Sequence, residues 1–533
     1  MSDSTTDSTP QLPGRGMTLA DQLARHARTV GDEIAFCCAG TQRTYGEIDE
    51  RVSRLANALR DRGVGPGDRV VVLGFNTLEV LEAYFATCRL GAICVPVNFR
   101  LVAHEIAYVL QDSGAAAVVV QDALAQTMAQ ARKEAGHTGP CLVFGGEHDG
   151  SDEDYEVALR TASPHYEGAP VDEQAPAFIM YTSGTTGRPK GAVLTHHNLL
   201  MHAFSVMTHL GLPPDDKVWL AATPLFHIAG LSGMLPTLMR GGRIVVLPSG
   251  GFDPVGVVDL LERERVSSCF FVPAQWELIC AVPGIAGRDL SALRRVAWGA
   301  APATTTFLRK LIGAFPTASV ETAFGQTESS AIVTMLRGDE ALSRIGSVGT
   351  PLANVEVRVV DDEMNDVPRG EIGEIVYRGP AVMTGYWNKP AETAEAFRGG
   401  WLHSGDLGRQ DEDGYFYVVD RKKDMIISGG ENIYCAEVEN VLAAHPKVRE
   451  VALIAVPDEK WGETPLAVVV AGTEDDPPTP AELVAWCAER LARYKHPRHI
   501  AVVPLLPRNP SGKVLKTQLR SDREAGRLDI RQA

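Results

Sequence analysis

The chain has 533 residues, 45% of them apolar and 22% charged, which suits an ordinary globular protein of at least two domains. Its formal charge of −16 comes with no sustained basic stretch, so the electrostatic footprint that nucleic-acid binding needs is missing. Nine cysteines lie scattered with no CxxC or other paired spacing, which excludes a zinc ribbon or a disulfide framework and fits small buried residues in a reducing cytoplasm.

Residues 1–16, MSDSTTDSTPQLPGRG, are polar and have neither a basic n-region nor an apolar h-region, so they read as a flexible tail rather than a signal peptide. After Thr44, residues Ile48, Val52, Leu55, Ala56 and Leu59 share one helical face, and the turn Gly63-Val-Gly-Pro-Gly-Asp68 leads into an apolar strand at 69–73. The alternation continues with a helix at 78–85, a strand at 92–97, a helix at 104–111 and a strand at 115–120, which predicts a parallel sheet covered on both faces. A second α/β region is expected to begin near Ala177, with the apolar strand AFIMY, and to run past residue 330. Between 346 and 420 short alternating runs, such as 356–360 and 374–377, predict a small antiparallel or barrel-like β piece.

Residues 421–533 mix strands at 451–455 and 466–470 with a helix at 481–492 and read as a separate small domain. The expected fold class is therefore α/β. A large N-terminal domain over 17–420 holds two α/β sheet subdomains and the barrel-like β subdomain, and a small α+β domain spans 421–533. No apolar run approaches the roughly 18 residues of a membrane-spanning helix, so no transmembrane segment is expected, and peripheral membrane contact stays open.

The most informative segment is Thr182-Ser-Gly-Thr-Thr-Gly-Arg-Pro-Lys-Gly191, entered from a buried strand. Glycines let backbone N–H groups ring an anion, hydroxyls add donors, and Arg188 and Lys190 add positive charge, so polyphosphate is the natural ligand. It is not a Walker A loop, because no Gly-Lys-Ser/Thr run follows Gly184. Taken alone, such a string is equally a surface turn. Its company decides the matter: Pro224-Leu-Phe-His-Ile-Ala-Gly230, Gly299-Ala-Ala-Pro302, Phe324-Gly-Gln-Thr-Glu328, Trp401-Leu-His-Ser-Gly-Asp-Leu407, Asp420-Arg-Lys-Lys-Asp-Met-Ile426 and Pro507-Arg-Asn-Pro-Ser-Gly-Lys513. In order and spacing this set closely resembles the adenylate-forming superfamily of acyl-CoA synthetases, luciferases and peptide-synthetase adenylation domains, from about Leu19 to Arg520.

The resemblance implies an acid–CoA ligase that uses ATP, Mg²⁺ and coenzyme A as co-substrate. A carboxylate attacks the ATP α-phosphorus, pyrophosphate leaves, and the CoA thiol then attacks the acyl adenylate. It implies a nucleotide site of Thr182, Ser183, Gly184, Thr185, Thr186, Gly187, Lys190, Gly299, Ala300, Ala301, Pro302, Phe324, Gly325, Gln326, Thr327, Asp406, Arg421 and Lys423, with Thr182 and Glu328 holding the metal. Phe324 stands where the family usually has tyrosine, so its ring can still pack against adenine but brings no hydroxyl to the base. Asp406 is suited to accept from both ribose hydroxyls, and Arg421 to donate to ribose or phosphate oxygens. Glu328, His227 and Lys513 are the catalytic candidates, Lys513 as a point charge between carboxylate and α-phosphate. By the same resemblance the C-terminal domain is mobile and turns about Asp420, exchanging the Lys513 loop for the Ser428, Gly429 and Gly430 loop that meets the pantetheine arm.

The acyl pocket is expected to take in His227, Ala229, Gly230, Gln275, Leu278 and Trp298, with the small residues Ala229, Gly230 and Gly233 leaving room for an extended tail. A medium- or long-chain fatty acid is the first expectation, and an aryl or other carboxylic acid the alternative. A free-standing adenylation enzyme loading a carrier protein shares the first half-reaction, and a luciferase-type oxygenase and a silent nucleotide-binding regulator complete the competing readings. A cytoplasmic monomer or homodimer acting on a small-molecule acid, with no nucleic-acid partner, is expected.

Overall fold

The structure is a computed structural model that describes residues 17–146, 152–182, 188–299, 305–429, 431–458, 460–473, 476–488, 490–508 and 514–532. The chain divides into two compact units: one runs to Glu356 and takes in Arg378–Leu402, the other combines Val357–Tyr377 with the residues from His403 onward.

The first unit contains two sheets. One has eight strands in the order Gly385–Tyr386, Lys190–Thr195, Pro176–Thr182, Ile93–Pro96, Arg69–Leu73, Ala117–Gln121, Cys141–Phe144 and Glu153–Asp154. Its centre is parallel, with Val71 opposite both Val95 and Val118, and these valines are fully buried, as strands covered on both faces must be. The helix expected after Thr44 is Tyr45–Asp61, started by a capping box in which Thr44 Oγ1 accepts from Glu47 N and Glu47 Oε2 accepts from Thr44 N. The next helix runs past its expected end, over Leu78–Leu90, and stops at Gly91, whose φ of +72° only glycine adopts readily.

The other sheet has nine strands in the order Thr350–Pro351, Thr334–Leu336, Ser319–Phe324, Arg295–Gly299, Ser268–Phe271, Val218–Ala221, Arg243–Val246, Ile34–Cys38 and Thr41–Thr44. Strand Pro176–Thr182, expected to open the second α/β region, instead joins the eight-stranded sheet through Phe178 opposite Cys94. The early strand Ile34–Cys38 joins the nine-stranded sheet through Phe36 opposite Ile244. Parallel pairing is fixed by contacts far apart in sequence, which local periodicity does not carry. Asn76, 4% exposed, ties the two sheets: its Nδ2 donates to Thr223 O and Leu247 O, and its Oδ1 accepts from Leu225 N.

In the second unit a four-stranded sheet, Glu356–Val360, Gly373–Arg378, Leu402–Gln410 and Phe416–Arg421, takes the place of the expected barrel-like piece. A six-stranded sheet follows, in which Val448–Asp458 and Gly462–Ala471 pair antiparallel over their whole length and so outrun the shorter strands predicted. The helix expected at 481–492 is Pro480–Ala488, and the chain beyond tightens into the 3₁₀ turn Arg493–Lys495. No helix among the described residues is long and apolar enough to cross a membrane. All nine cysteines are free, and all but Cys38 and Cys280 are buried.

Candidate active site

The strands on either side of the segment expected to grip phosphate, Pro176–Thr182 and Lys190–Thr195, pair antiparallel as a hairpin. Thr182 stands opposite Lys190, and Thr182 Oγ1 donates to Lys190 O at 3.3 Å. Ser183, Gly184, Thr185, Thr186 and Gly187 lie outside the described residues. At Gly191 a Cβ would fall 2.4 Å from Ile179 Cγ2, so the glycine lets the two strands lie tight. The hairpin is held from its flank: Tyr108 OH donates to Pro189 O at 3.0 Å and Tyr181 OH to Asp112 Oδ2 at 2.7 Å. Burial, reinforced by Asp112, raises the Tyr181 pKa far above the ordinary phenol value, so the group stays a donor.

Glu328 sits on the 3₁₀ turn Thr327–Ser329 and is 9% exposed. Ser329 Oγ donates to Gln326 O at 2.9 Å and accepts from Gln326 N at 3.1 Å, which locks the turn. Ser330 and Ala331 follow with φ of +57° and +105°, a region that non-glycine residues rarely adopt and that concentrates at functional sites. Met383 N donates to Glu328 O, and the chain then pairs with the phosphate hairpin through Tyr386 opposite Ala192. Tyr386 thereby stands between the two: its OH donates to Glu328 Oε1 at 2.8 Å, and Lys190 Nζ lies 4.5 Å from its ring centroid. Burial first, then the Glu328 charge, pushes the Tyr386 phenol far up.

This donor set fits a hard cation. Glu328 keeps a second carboxylate oxygen with no hydrogen-bond partner among the described residues, and Thr182 adds a hydroxyl oxygen. No group of three or more His, Cys, Asp or Glu among the described residues is placed to hold a metal.

Four neighbouring parallel strands of the nine-stranded sheet, Val218–Ala221, Ser268–Phe271, Arg295–Gly299 and Ser319–Phe324, lead at their carboxyl ends toward His227, Gln275, Gly299 and Phe324. Ligands of open α/β sheets bind at that edge. Gly299 faces Ala323, whose carbonyl would lie 2.9 Å from an added Cβ, so the wall there is free of side chain by necessity. Ala300, Ala301 and Pro302 lie outside the described residues. Phe324 is half-buried, and at Gly325 a Cβ would meet Ala331 O at 2.2 Å.

His227 caps the helix Ile228–Met239, its Nδ1 accepting from Ala229 N at 3.3 Å, which assigns the proton of the neutral ring to Nε2. Half-buried Ala229 follows. A Cβ on Gly230 would lie 2.3 Å from Pro224 O and one on Gly233 2.8 Å from the Trp219 ring. Both glycines therefore serve close packing on the side where a Cβ would stand. Gln275 Oε1 accepts from Val272 N at 3.4 Å, and Leu278 is 52% exposed. Trp298 is 9% exposed, packs edge-on against Phe307 at 6.1 Å, and its Nε1 has no partner among the described residues.

In the second unit Asp406, 4% exposed, stands opposite Arg421, with Arg421 Nε 2.7 Å from Asp406 Oδ1. Behind this pair lies Glu374, whose Oε1 accepts from Gly405 N and whose Oε2 meets His403 Nδ1 at 3.1 Å and Lys422 Nζ at 3.0 Å. Burial opposes its charge, but His403 and Lys422 outweigh it and hold the carboxyl below the usual range. Asp420 Oδ1 accepts from Arg421 N at 2.7 Å, and its Oδ2 accepts from Cys435 N at the start of the helix Cys435–Ala443. Lys423 is exposed and Ser428 buried. Gly429, at φ +61°, donates its N–H to Trp461 O at 2.7 Å and has no space for a Cβ beside the Trp461 ring. Gly430 and Lys513 lie outside the described residues.

Tyr386 and Glu374 were not anticipated from sequence. A charged residue inside the apolar run Gly373–Arg378 was the available signal for Glu374, since a buried carboxylate requires partners. The Gly-Tyr-Trp run at 385–387 carried only a general aromatic signal for Tyr386.

Comparison with known proteins shows the family. The family profile described as AMP-binding enzyme matches residues 23–387, and that described as AMP-binding enzyme C-terminal domain matches 437–513. The chain is 42% identical over 510 residues to a feruloyl-CoA synthase of Amycolatopsis sp, covering 95% of this chain and 99% of that one. It is 36% identical over 482 residues to the long-chain-fatty-acid–CoA ligase FadD13 of Mycobacterium tuberculosis (strain ATCC 25618 / H37Rv), covering 90% and 93%. The O-succinylbenzoate coenzyme A synthetase MenE of Bacillus subtilis, in complex with ATP and magnesium ion, superposes with a TM-score of 0.84 at 32% identity, covering 94% of this chain and 99% of that one. The chain belongs to the AMP-binding enzyme family and is an acid–CoA ligase that works with ATP, Mg²⁺ and coenzyme A through an acyl adenylate.

Proposed function

We propose that the acid is ring-bearing, an aryl-substituted carboxylic acid of the feruloyl type, ahead of the fatty acid expected at first. The observation that carries the ligase chemistry is the junction of Lys190, Tyr386 and Glu328 beside the phosphate hairpin. The aryl preference is supported by the close packing at Gly230 and Gly233, by a buried indole N–H on Trp298 that has no partner among the described residues and that a ring oxygen would satisfy, and by the 42% identity to a feruloyl-CoA synthase.

In this reading Lys190 neutralises phosphate charge, and Thr182 and Glu328 hold Mg²⁺. When bound, the metal screens the charge that accumulates on departing pyrophosphate. Asp406 accepts from the ribose hydroxyls, with its carboxylate oriented by Arg421 and its turn by Glu374. The Thr/Gly loop, the Gly299–Pro302 wall and Phe324 receive the rest of the nucleotide, and Lys513 places a point charge between carboxylate and α-phosphate. The acid's oxygen attacks the α-phosphorus as the bond to the β-phosphate oxygen breaks. The CoA thiol, losing its proton, then attacks the acyl carbon and AMP leaves. His227, with Nε2 as donor, borders the acyl site together with Ala229, Gly230, Gln275, Leu278 and Trp298. Ser428, Gly429 and Gly430 meet the pantetheine arm, and Asp420 is the hinge of a domain over 421–533. A cytoplasmic location, where ATP and CoA are supplied, belongs to the same reading.

The test is acyl-CoA formation from ATP, Mg²⁺ and free CoA with ferulate, cinnamate, octanoate and palmitate. The ring-bearing acids are expected to show kcat/KM at least about tenfold higher. Higher values for palmitate would restore the fatty-acid reading, and transfer to a carrier protein but not to free CoA would move the acceptor.

A further inference from the structure

We propose that Tyr386 is a positioning residue that couples the phosphate hairpin to the metal-holding carboxylate, through its hydroxyl to Glu328 and through its ring to Lys190. This rests on the ligase reading above, and it assigns work to a residue that the nucleotide motifs leave out.

Three observations converge on it. The phenol donates to Glu328 Oε1 at 2.8 Å, which fixes the plane of the carboxylate and leaves the other oxygen to face a cation. Lys190 Nζ lies 4.5 Å from the ring centroid, so the same side chain also sets the direction of the ammonium. The backbone of this segment is clamped to both partners: Met383 N donates to Glu328 O, Trp387 N donates to Gly191 O, and Tyr386 stands opposite Ala192 in the sheet. A carboxylate on a short 3₁₀ turn and a lysine on a hairpin have no direct bond to each other that fixes their separation. The tyrosine between them supplies that constraint, and an ATP-bound metal needs both groups at defined positions before it arrives.

The two functions of the side chain can be removed separately. Tyr386→Phe keeps the ring under Lys190 and deletes the bond to Glu328. Tyr386→Leu deletes both. Tyr108→Phe, which removes a phenol bond on the flank of the same hairpin, serves as the structural comparison. ATP binding is measured by titration calorimetry at a series of Mg²⁺ concentrations with no acid present, so that no turnover occurs, and thermal midpoints are recorded in parallel.

Wild-type protein binding ATP in a Mg²⁺-dependent way is the condition that the ligase reading itself must meet. Given that, Tyr386→Phe is expected to raise the Mg²⁺ concentration needed for half-maximal ATP binding about tenfold, while retaining affinity at saturating Mg²⁺. Tyr386→Leu is expected to weaken ATP binding even at saturating Mg²⁺, and Tyr108→Phe to leave the Mg²⁺ midpoint in place. An unchanged Mg²⁺ midpoint in Tyr386→Phe, or an equal shift in Tyr108→Phe, overturns the proposal while the ligase reading stands. Absence of ATP binding by the wild type overturns the ligase reading first.

Discussion

Gly230 shows how a residue's meaning depends on what surrounds it. Small residues after His227 suggest an open acyl tunnel, but the carbonyl of Pro224 occupies the position a Cβ would take, 2.3 Å away. Contacts of that kind must be relieved by backbone shifts, so Gly230→Ala is expected to destabilise the fold by about 1–3 kcal/mol and to lower the thermal midpoint. If the glycine instead opened a tunnel, the alanine variant would keep its stability and accept only shorter acids; a denaturation scan and the acid panel together decide between the two. At this scale the site motifs were visible because they need particular side chains: Thr182 and Lys190 face each other across two paired strands, Glu328 sits on a locked turn, and Asp406, in mid-strand, stands opposite Arg421. Tyr386 was invisible for the converse reason. Nothing in its own neighbourhood says that it will donate to Glu328, because a pairing between strands creates that contact.

Among the elements, the helix His196–Leu210 carries an unusual load. His202 is fully buried, neither ring nitrogen has a hydrogen-bond partner among the described residues, and burial lowers its pKa to about 4. Since the folded-state pKa lies below the ordinary 6.5, the unfolded chain takes up the proton first. Stability is therefore lost as pH falls from about 6.5 to about 4, by about 3 kcal/mol from this group, and the loss is complete below that. His196, similarly lowered to about 4 by burial, adds to the same limb. His202→Leu is expected to reduce this acid sensitivity and to leave stability at pH 7 equal or higher, because it removes orphaned polar atoms at similar volume. Denaturant titrations at pH 7 and pH 5 measure it, and an unchanged difference between the two would show that His202 does not carry the effect. The helices and strands that periodicity named lie close to the observed ones, as with Arg69–Leu73 and Tyr45–Asp61. It missed the length of Val448–Asp458 and Gly462–Ala471, since a long hairpin is extended by cross-strand bonds rather than by alternation.

On the scale of the whole molecule, the succession of strands and helices gave the α/β class but not the distribution of strands between sheets. Ile34–Cys38 and Pro176–Thr182 each sit in the sheet opposite to the one their sequence position suggests, because parallel partners are chosen by burial across the fold. Asn76 then ties the two sheets beside the segment leading to His227, which no local pattern announces. The family, by contrast, was readable from the ordered motifs, and the profile matches over 23–387 and 437–513 cover the same stretch of chain. Substrate choice was not readable, since it depends on which gaps the packing leaves.

The central claim is that the chain activates a carboxylate by adenylation, with pyrophosphate as the leaving group. Isotope exchange between pyrophosphate and ATP, followed with Mg²⁺ and each acid in turn but without CoA, tests it most directly. Exchange is predicted only when an acid and Mg²⁺ are both present, and it should be strongest with ferulate. No exchange with any acid, or release of ADP and phosphate in place of AMP and pyrophosphate, would contradict the account.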